Sequence, residues 1–394
     1  MKEIQINGVR VKPGQSVNIE LPIAKLPTHT VIDLPIFIRS SKNEGPVVLI
    51  SGGVHGDEIN GVVTAKKLLQ EFDDNLELKR GTLIIIPLVN IYGFLSNSRT
   101  FPDGRDLNRS FPGSKKGSLA SRIAFILSEE IIPLIDFGID FHTGGRMLSN
   151  HPQIRVDFKD KIGLELAKAF GTHYVVHSKH IEKSFRKTAY KSRKHLLVYE
   201  GGESMRLDNY SIEEGISGTK RLLHHLEMIN SPQLPQATII LKDSEWTRAK
   251  ASGIFSCLVK LGDFVRKGEL MAHISDPYGQ VIVPVKATTN GHVIGVNNNP
   301  VINVGDALIH FEHADIVHMG DLINNRRYPF IDRTAGASIK NWVEVLEKTT
   351  KHFNKKTTFV YGNASEGFEV YGKAGYQNQT FFLYGPDAAL HNGS

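Results

Sequence analysis

The chain has one cysteine, Cys257, in 394 residues. A lone thiol excludes an internal disulfide framework and a thiolate zinc site. Its flanks, Ile254-Phe255-Ser256 and Leu258-Val259, read as a packed strand. No apolar run approaches the roughly 18 residues of a membrane span. The stretch Met1-Lys2-Glu3-Ile4-Gln5-Ile6-Asn7 lacks the apolar core of an export signal. The expectation is a soluble, cytoplasmic protein with no membrane contact. Charge of one sign is also scarce, with a net +6 against 22% charged residues. There is no Lys/Arg block with interleaved aromatics; the densest basic stretch, Arg186, Lys187, Lys191, Arg193 and Lys194, is broken by Thr188, Ala189, Tyr190 and Ser192. It reads as a solvated face near an anion-accepting cleft, and no nucleic-acid partner is expected.

The length suits two or three domains. Residues 1–45 alternate polar and apolar, as in Ser16-Val17-Asn18-Ile19-Glu20-Leu21, and read as a β lead-in packed on the next domain. From 46 to 232 apolar strands alternate with helices: strands at 47–50, 82–89, 137–142, 173–177 and 195–199, and helices at 59–69, 118–135, 161–170 and 212–228. This pattern predicts an α/β domain built on a mostly parallel sheet with helices on both faces. The two prolines in Ser231-Pro232-Gln233-Leu234-Pro235 mark a boundary. Residues 233–312 are short strands cut by glycines, with approximate echoes at Leu261-Gly262-Asp263 and Val304-Gly305-Asp306, which predicts a small β barrel. Residues 313–394 form an atypical α+β tail.

Chemistry concentrates in Ser51-Gly52-Gly53-Val54-His55-Gly56-Asp57-Glu58. His55 and Glu58 fall on a strand-to-helix turn, at the carboxyl edge where open α/β sheets place ligand crevices. A strand ending Asp140-Phe141-His142-Thr143-Gly144-Gly145 delivers a second imidazole to the same edge. Alone, an H-x-x-E or a strand-end His is most often a surface turn or cap. Jointly they make the His2Glu set of a catalytic zinc. Between them lies a polar loop, residues 97–113, with Arg99, Arg105 and Arg109. Guanidinium groups grip carboxylates at two points and stabilise oxyanions.

The order HGDE, DLNRSFPG, DFHTGG resembles the succinylglutamate desuccinylase and aspartoacylase family, relatives of the zinc carboxypeptidases, over residues of about 30 to 312. The resemblance implies a zinc-carboxypeptidase-like mixed sheet and a zinc-dependent deacylase with one Zn2+ per chain, held by His55, Glu58 and His142. It implies that Asn108 and Arg109 bind a substrate carboxylate and that an earlier arginine polarises the scissile carbonyl. Arg99 is the choice for that arginine and Arg105 the rival. The family's general base closes a later strand, where Leu196-Leu197-Val198-Tyr199-Glu200-Gly201-Gly202 offers Glu200, with Glu203 the alternative past two glycines. The expected substrate is a small N-acyl amino acid or related carboxylate-bearing amide, with ester hydrolysis also open. The acyl group and amino acid are not readable. A reading from a different class is a catalytically inactive, metal-free binding protein for an acidic metabolite.

Residues 233–312 are similar to biotinyl and lipoyl domains. Lys286, in Pro284-Val285-Lys286-Ala287, lacks both the Met-Lys-Met and the Asp-Lys-Ala context, so an unmodified barrel is expected. It would serve as a cover over the site or as a homo-oligomer contact. Residues of about 314 to 385 resemble the second half of a metallo-β-lactamase-fold hydrolase. Asp321 matches in His318-Met319-Gly320-Asp321, but Asn363 stands where a His would be and no H-x-H-x-D-H occurs upstream. No second metal site is expected there. The tail reads as a remnant, partly disordered or with a helix at 338–353 packed on the body.

Overall fold

Burial separates two kinds of strand. Val47–Gly52 and Thr82–Ile86 are buried at every position, while Ser16–Lys25 alternates exposed and buried. A strand buried throughout has elements on both its faces, and an alternating one has solvent on one side. The computed structural model describes residues 4–26, 28–230 and 238–313, and the backbone of three later strands.

In chain order the elements begin with a small antiparallel pair, β1 (Ile4–Ile6) and β2 (Val9–Val11), followed by β3 (Ser16–Lys25), β4 (Val31–Ser40), β5 (Val47–Gly52), α1 (Ile59–Asp74), β6 (Thr82–Ile86), α2 (Ile91–Leu95), α3 (Leu119–Ile126), β7 (Phe137–Gly144) and β8 (Leu148–Val156). Next come α4 (Lys161–Phe170), β9 (Tyr174–His177), α5 (Phe185–Lys191), β10 (His195–Glu203) and α6 (Asn209–His225). The remaining strands are β11 (Ile239–Leu241), β12 (Ser244–Arg248), β13 (Gly253–Cys257), β14 (Phe264–Val265), β15 (Leu270–Ser275), β16 (Ile282–Lys286), β17 (Gly291–Asn297), β18 (Val301–Ile302) and β19 (Ala307–His313).

At the centre, β10, β7, β5 and β6 run parallel, so their carboxyl ends share one edge. Side chains alternate across β5: Val47 and Leu49 enter one core with α3 and α5, and Val48 and Ile50 enter another with α1, α4 and α6. Helices thus cover both faces. Antiparallel β4 and β3 extend the sheet on one side and antiparallel β8 on the other.

Beyond β8 the sheet forks. Gln153–Val156 pair with β9, while Leu148–Asn150 pair with Gly295–Asn297 of β17. Through β17 the sheet continues into β19 and β12, giving thirteen strands in all. The sheet is mixed, as the family resemblance implies: parallel strands hold its centre, and antiparallel β3, β4 and β8, then β17, β19 and β12, extend it. Facing them is a four-stranded sheet, β16-β15-β13-β18, with a core of Phe255, Met271, Val285, Val293 and Phe311 between the layers. Cys257 sits on β13, its Sγ near Val259 O at 3.3 Å.

The expected helix at 118–135 is shorter. Ser118 caps α3, and a π-helical turn, Leu127–Ile131, follows it before Pro133. Proline cannot donate the next backbone hydrogen bond and ends the run. Pro87 likewise stops β6 at Ile86.

Three further strands, Ile316–Asn324, Thr358–Gly362 and Val370–Gly372, form their own sheet. His318 and Asp321 lie on the first; Asn363 and the helix expected at 338–353 lie outside the described residues. Among the described residues no helix is long and apolar enough to cross a membrane.

Candidate active site

Where β5 ends, Gly53 takes a left-handed φ of +61° and turns the chain outward. Gly56 then passes against α2 so closely that a Cβ would meet the Gly93 carbonyl carbon at 2.0 Å. This contact sets the course of the turn before α1 starts at Ile59. His55 and Glu58 are carried by that turn, with Glu58 at the positive end of α1. His142 arrives from β7, next to Glu200 in register on β10.

The three side chains converge, and their ligand atoms all lie within 4.8 Å of one another. His55 is 3% exposed, Glu58 1% and His142 4%. Each imidazole turns Nδ1 towards the Glu58 carboxylate at 2.8 Å. Each turns Nε2 outward to a different aspartate: His142 to Asp140 Oδ2 at 2.8 Å and His55 to Asp106 Oδ1 at 3.2 Å. An ionised carboxylate only accepts hydrogen bonds, so each outer nitrogen carries a proton, and loss of the inner proton that faces Glu58 would give each Nδ1 a lone pair for a metal. Two imidazoles and a carboxylate turned inward with little solvent form a group that could hold a metal ion. This donor set fits Zn2+, which takes imidazole nitrogen and carboxylate oxygen and leaves a coordination position open.

The surrounding carboxylates favour protonated imidazoles, positive charge that a metal ion would displace on binding. Burial opposes charge on His55 and His142, yet Glu58 and the flanking aspartates raise both pKa values, His142 well above its usual range. Burial would likewise raise the Glu58 and Asp106 carboxyls, but the imidazoles hold both well below their usual range. Arg99 clamps the rim, NH1 to Glu58 at 2.9 Å and NH2 to Asp106 at 3.1 Å.

The neighbouring loop forms a single 3-10 turn, Leu107–Arg109, which Asp106 caps through Asn108 N. Asn108 Oδ1 accepts from Phe185 N and fastens the turn to α5, and Arg109 stands exposed at the cleft. Arg105 faces away, 65% exposed and 3.8 Å from Asp103, and does not line the cleft. Glu200 accepts from Asn150 Nδ2 at 3.0 Å and lies 3.4 Å from Arg155. Glu203 is engaged elsewhere, with Ser149, Asn298 and Arg206.

His55, Glu58, His142, Arg99, Arg109 and Glu200 border one cleft of about 280 Å³. The expected solvated basic face is corrected at one position. Arg186 lines the cleft but is buried, donating to the carbonyls of Arg155, Ser178 and Lys179. Burial and Arg155 push its pKa down to about 10.

Several residues in the cleft or behind its ligands carry no role in the sequence reading. Asp140 had a signal, since D-x-H on a strand puts both side chains on one face. Asn150, Arg155, Trp246 and His310 had none, because they converge only through the fork at β8.

The family described as succinylglutamate desuccinylase/aspartoacylase catalytic domain matches residues 44–226. The chain is 30% identical over 285 residues to N-alpha-acetyl-L-2,4-diaminobutyric acid deacetylase of Halomonas elongata, covering 68% of this chain and 82% of that one. It resembles the product-bound ectoine utilization protein EutE (DoeB) from Ruegeria pomeroyi at 25% identity and a TM-score of 0.69, over 79% of this chain and 97% of that one. It shares its fold with a succinylglutamate desuccinylase/aspartoacylase from Rhodobacter sphaeroides, at 24% identity and a TM-score of 0.68, over 77% of this chain and 96% of that one. On these matches the chain belongs to the succinylglutamate desuccinylase/aspartoacylase family of deacylases.

Proposed function

We propose that the protein is a zinc-dependent amidohydrolase that removes an acyl group from an N-acyl amino acid. The observation that carries the reading is the inward convergence of His55, Glu58 and His142 beside a separately held carboxylate, Glu200, in one cleft. The Halomonas elongata relative is named for the same type of reaction.

His55, Glu58 and His142 would hold the metal. A bound Zn2+ supplies Lewis acidity to a carbonyl oxygen and lowers the pKa of a bound water towards about 7. Glu200 is the proton carrier. Asn150 and Arg155 fix its carboxylate, so it takes a proton from the attacking water and delivers it to the departing amine nitrogen. Arg99 is the cation nearest the ligands and steadies negative charge that develops on the carbonyl oxygen. Arg109, exposed on the fastened 3-10 turn, anchors the substrate carboxylate with Asn108 beside it.

The test is turnover of a panel of N-acetyl and N-succinyl amino acids by the zinc-quantified chain. Stoichiometric zinc with hydrolysis that Glu200→Gln abolishes supports the reading. Zinc-free protein that binds panel members without hydrolysing them would replace it with a binding function.

A further inference from the structure

The wall of the cleft beyond Glu200 is built by strands from the C-terminal layers. One row of paired residues crosses the fork, from Gly202 to Asn150, Gly295, His310 and Trp246. Gly295 leaves room for its neighbours: a Cβ there would come within 3.0 Å of His310 Cβ, 3.1 Å of Asn150 Oδ1 and 3.4 Å of the Trp246 indole. Above this gap the Trp246 and His310 rings stack at 4.6 Å between centroids and 6° between planes, and both line the cleft.

His310 is 7% exposed, and its Nδ1 has no hydrogen-bond partner among the described residues. Arg155, lining the same cleft from β8, has a buried Nε that is also unpartnered. Burial and the nearby Arg155 push the His310 pKa down to about 3, so the ring is neutral and can donate from Nδ1. Buried polar atoms left without a partner on residues that line a cleft mark the place of a hydrogen-bonding group supplied from outside the chain. Among the described lining residues the carboxylates are Glu58 and Glu200, both already engaged, so none remains to hold an ammonium group.

We infer that Trp246 and His310, with Arg155, are specificity-determining residues that recognise a carbonyl oxygen, of a carboxamide or a carboxylate, at the end of the substrate away from the scissile amide. This rests on the deacylase reading, which places the scissile amide between the metal ligands and Glu200. The flat Trp246–His310 stack packs against the planar end group while His310 and Arg155 donate to its oxygen.

The experiment compares kcat/KM of the zinc-loaded full chain on N-acetyl-L-glutamine, N-acetyl-L-glutamate, N-acetyl-L-norvaline and N-acetyl-L-2,4-diaminobutyrate. The first two should exceed norvaline by at least about tenfold, the size of one hydrogen bond made to a buried donor, and diaminobutyrate should be poorest. The ratio of glutamine to glutamate separates the amide from the charged end group. His310→Leu and Trp246→Ala should shrink the preference over norvaline, chiefly through KM, with zinc content unaltered. His310→Gln, which keeps a donor, should restore most of it, and it serves if the Leu variant fails to fold. Equal rates on glutamine and norvaline, or equal losses on both in the variants, would overturn the inference.

If the native chain hydrolyses neither these four nor any N-succinyl amino acid of the panel, tryptophan fluorescence decides separately. Quenching by N-acetyl-L-glutamine but not by N-acetyl-L-norvaline, lost in Trp246→Phe, leaves this recognition standing while the deacylase reading fails. No selective quenching would end both.

Discussion

His55 and His142 bring their Nδ1 atoms to 3.2 Å from each other, while each fixes its Nε2 on a different aspartate. The second relationship maintains the first, since each aspartate holds the outer nitrogen's proton and thereby turns the inner nitrogen towards Glu58. Asp140 is itself held, accepting from Ser51 Oγ at 2.8 Å.

His142→Ala should therefore lose stoichiometric metal. Asp140→Asn should keep the fold but weaken metal binding by about 10- to 100-fold, the usual cost of losing an outer partner of a ligating histidine. Competition with a chelator of known affinity reads both. Unchanged affinity in Asp140→Asn would refute the role given to Asp140.

Glu200→Gln should keep its place beside Asn150 and its zinc, and lose about 10²- to 10⁴-fold in kcat, the usual contribution of a positioned base. Asn150→Ala, which frees the carboxylate to turn, should lose less. Near-normal turnover in Glu200→Gln would transfer the role to another group.

The two arginines that the sequence leaves as rivals should separate sharply. Arg99→Ala removes a cation bonded to Glu58 and Asp106 and should cost about 10²-fold or more in kcat. Arg105→Ala, on an exposed side chain outside the cleft, should change kcat/KM by less than about twofold. Comparable losses in both would contradict this division.

Gly56→Ala places a methyl group against the α2 backbone, which cannot yield as a flexible side chain would. The overpacking cost of about 1–3 kcal/mol, or more at so short a distance, falls on the turn that carries two ligands. Low soluble yield and metal-poor protein are expected. A fully metallated, normally stable variant would show that the turn relocates freely.

Where the C-terminal layers meet β9, Tyr174 OH lies 3.1 Å from His292 Nδ1, and burial with the nearby His173 lowers the His292 pKa to about 4. An unfolded chain titrates near the usual 6.5 and binds more protons between those values, so this contribution is complete above pH 6.5 and is lost as pH falls towards 4. At pH 5 the loss is about 1 kcal/mol after allowance for partial exposure. Melting curves at pH 7 and pH 5 should show a smaller drop for His292→Gln than for the native chain. Parallel drops would locate the acid sensitivity elsewhere.

What the sequence disclosed was governed by range. The turn at His55 and Glu58, the strand ending in His142 and the strand carrying Glu200 are written in short stretches whose periodicity gives the element and its end. The hairpin of β3 and β4 shows in the same way as alternation. The fork at β8 does not, because Ser149-Asn150-His151-Pro152-Gln153 carries no apolar run, and no strand is read from the sequence there. Without it Trp246 and His310 have no reason to be placed with Glu200. The choice between Arg99 and Arg105 was equally hidden, since both lie in one polar loop and only the Asp106 cap orients the first.

The fork also bears on how the molecule assembles. Ser149 meets Asn298 by a hydrogen bond between residues 149 apart in sequence. Contacts of such separation form after local ones, because a long loop must close before they reward it. The parallel strands and the metal ligands can thus assemble while the chain still lacks the wall that Trp246 and His310 supply. A refolding chain should acquire tight zinc before it acquires substrate selectivity.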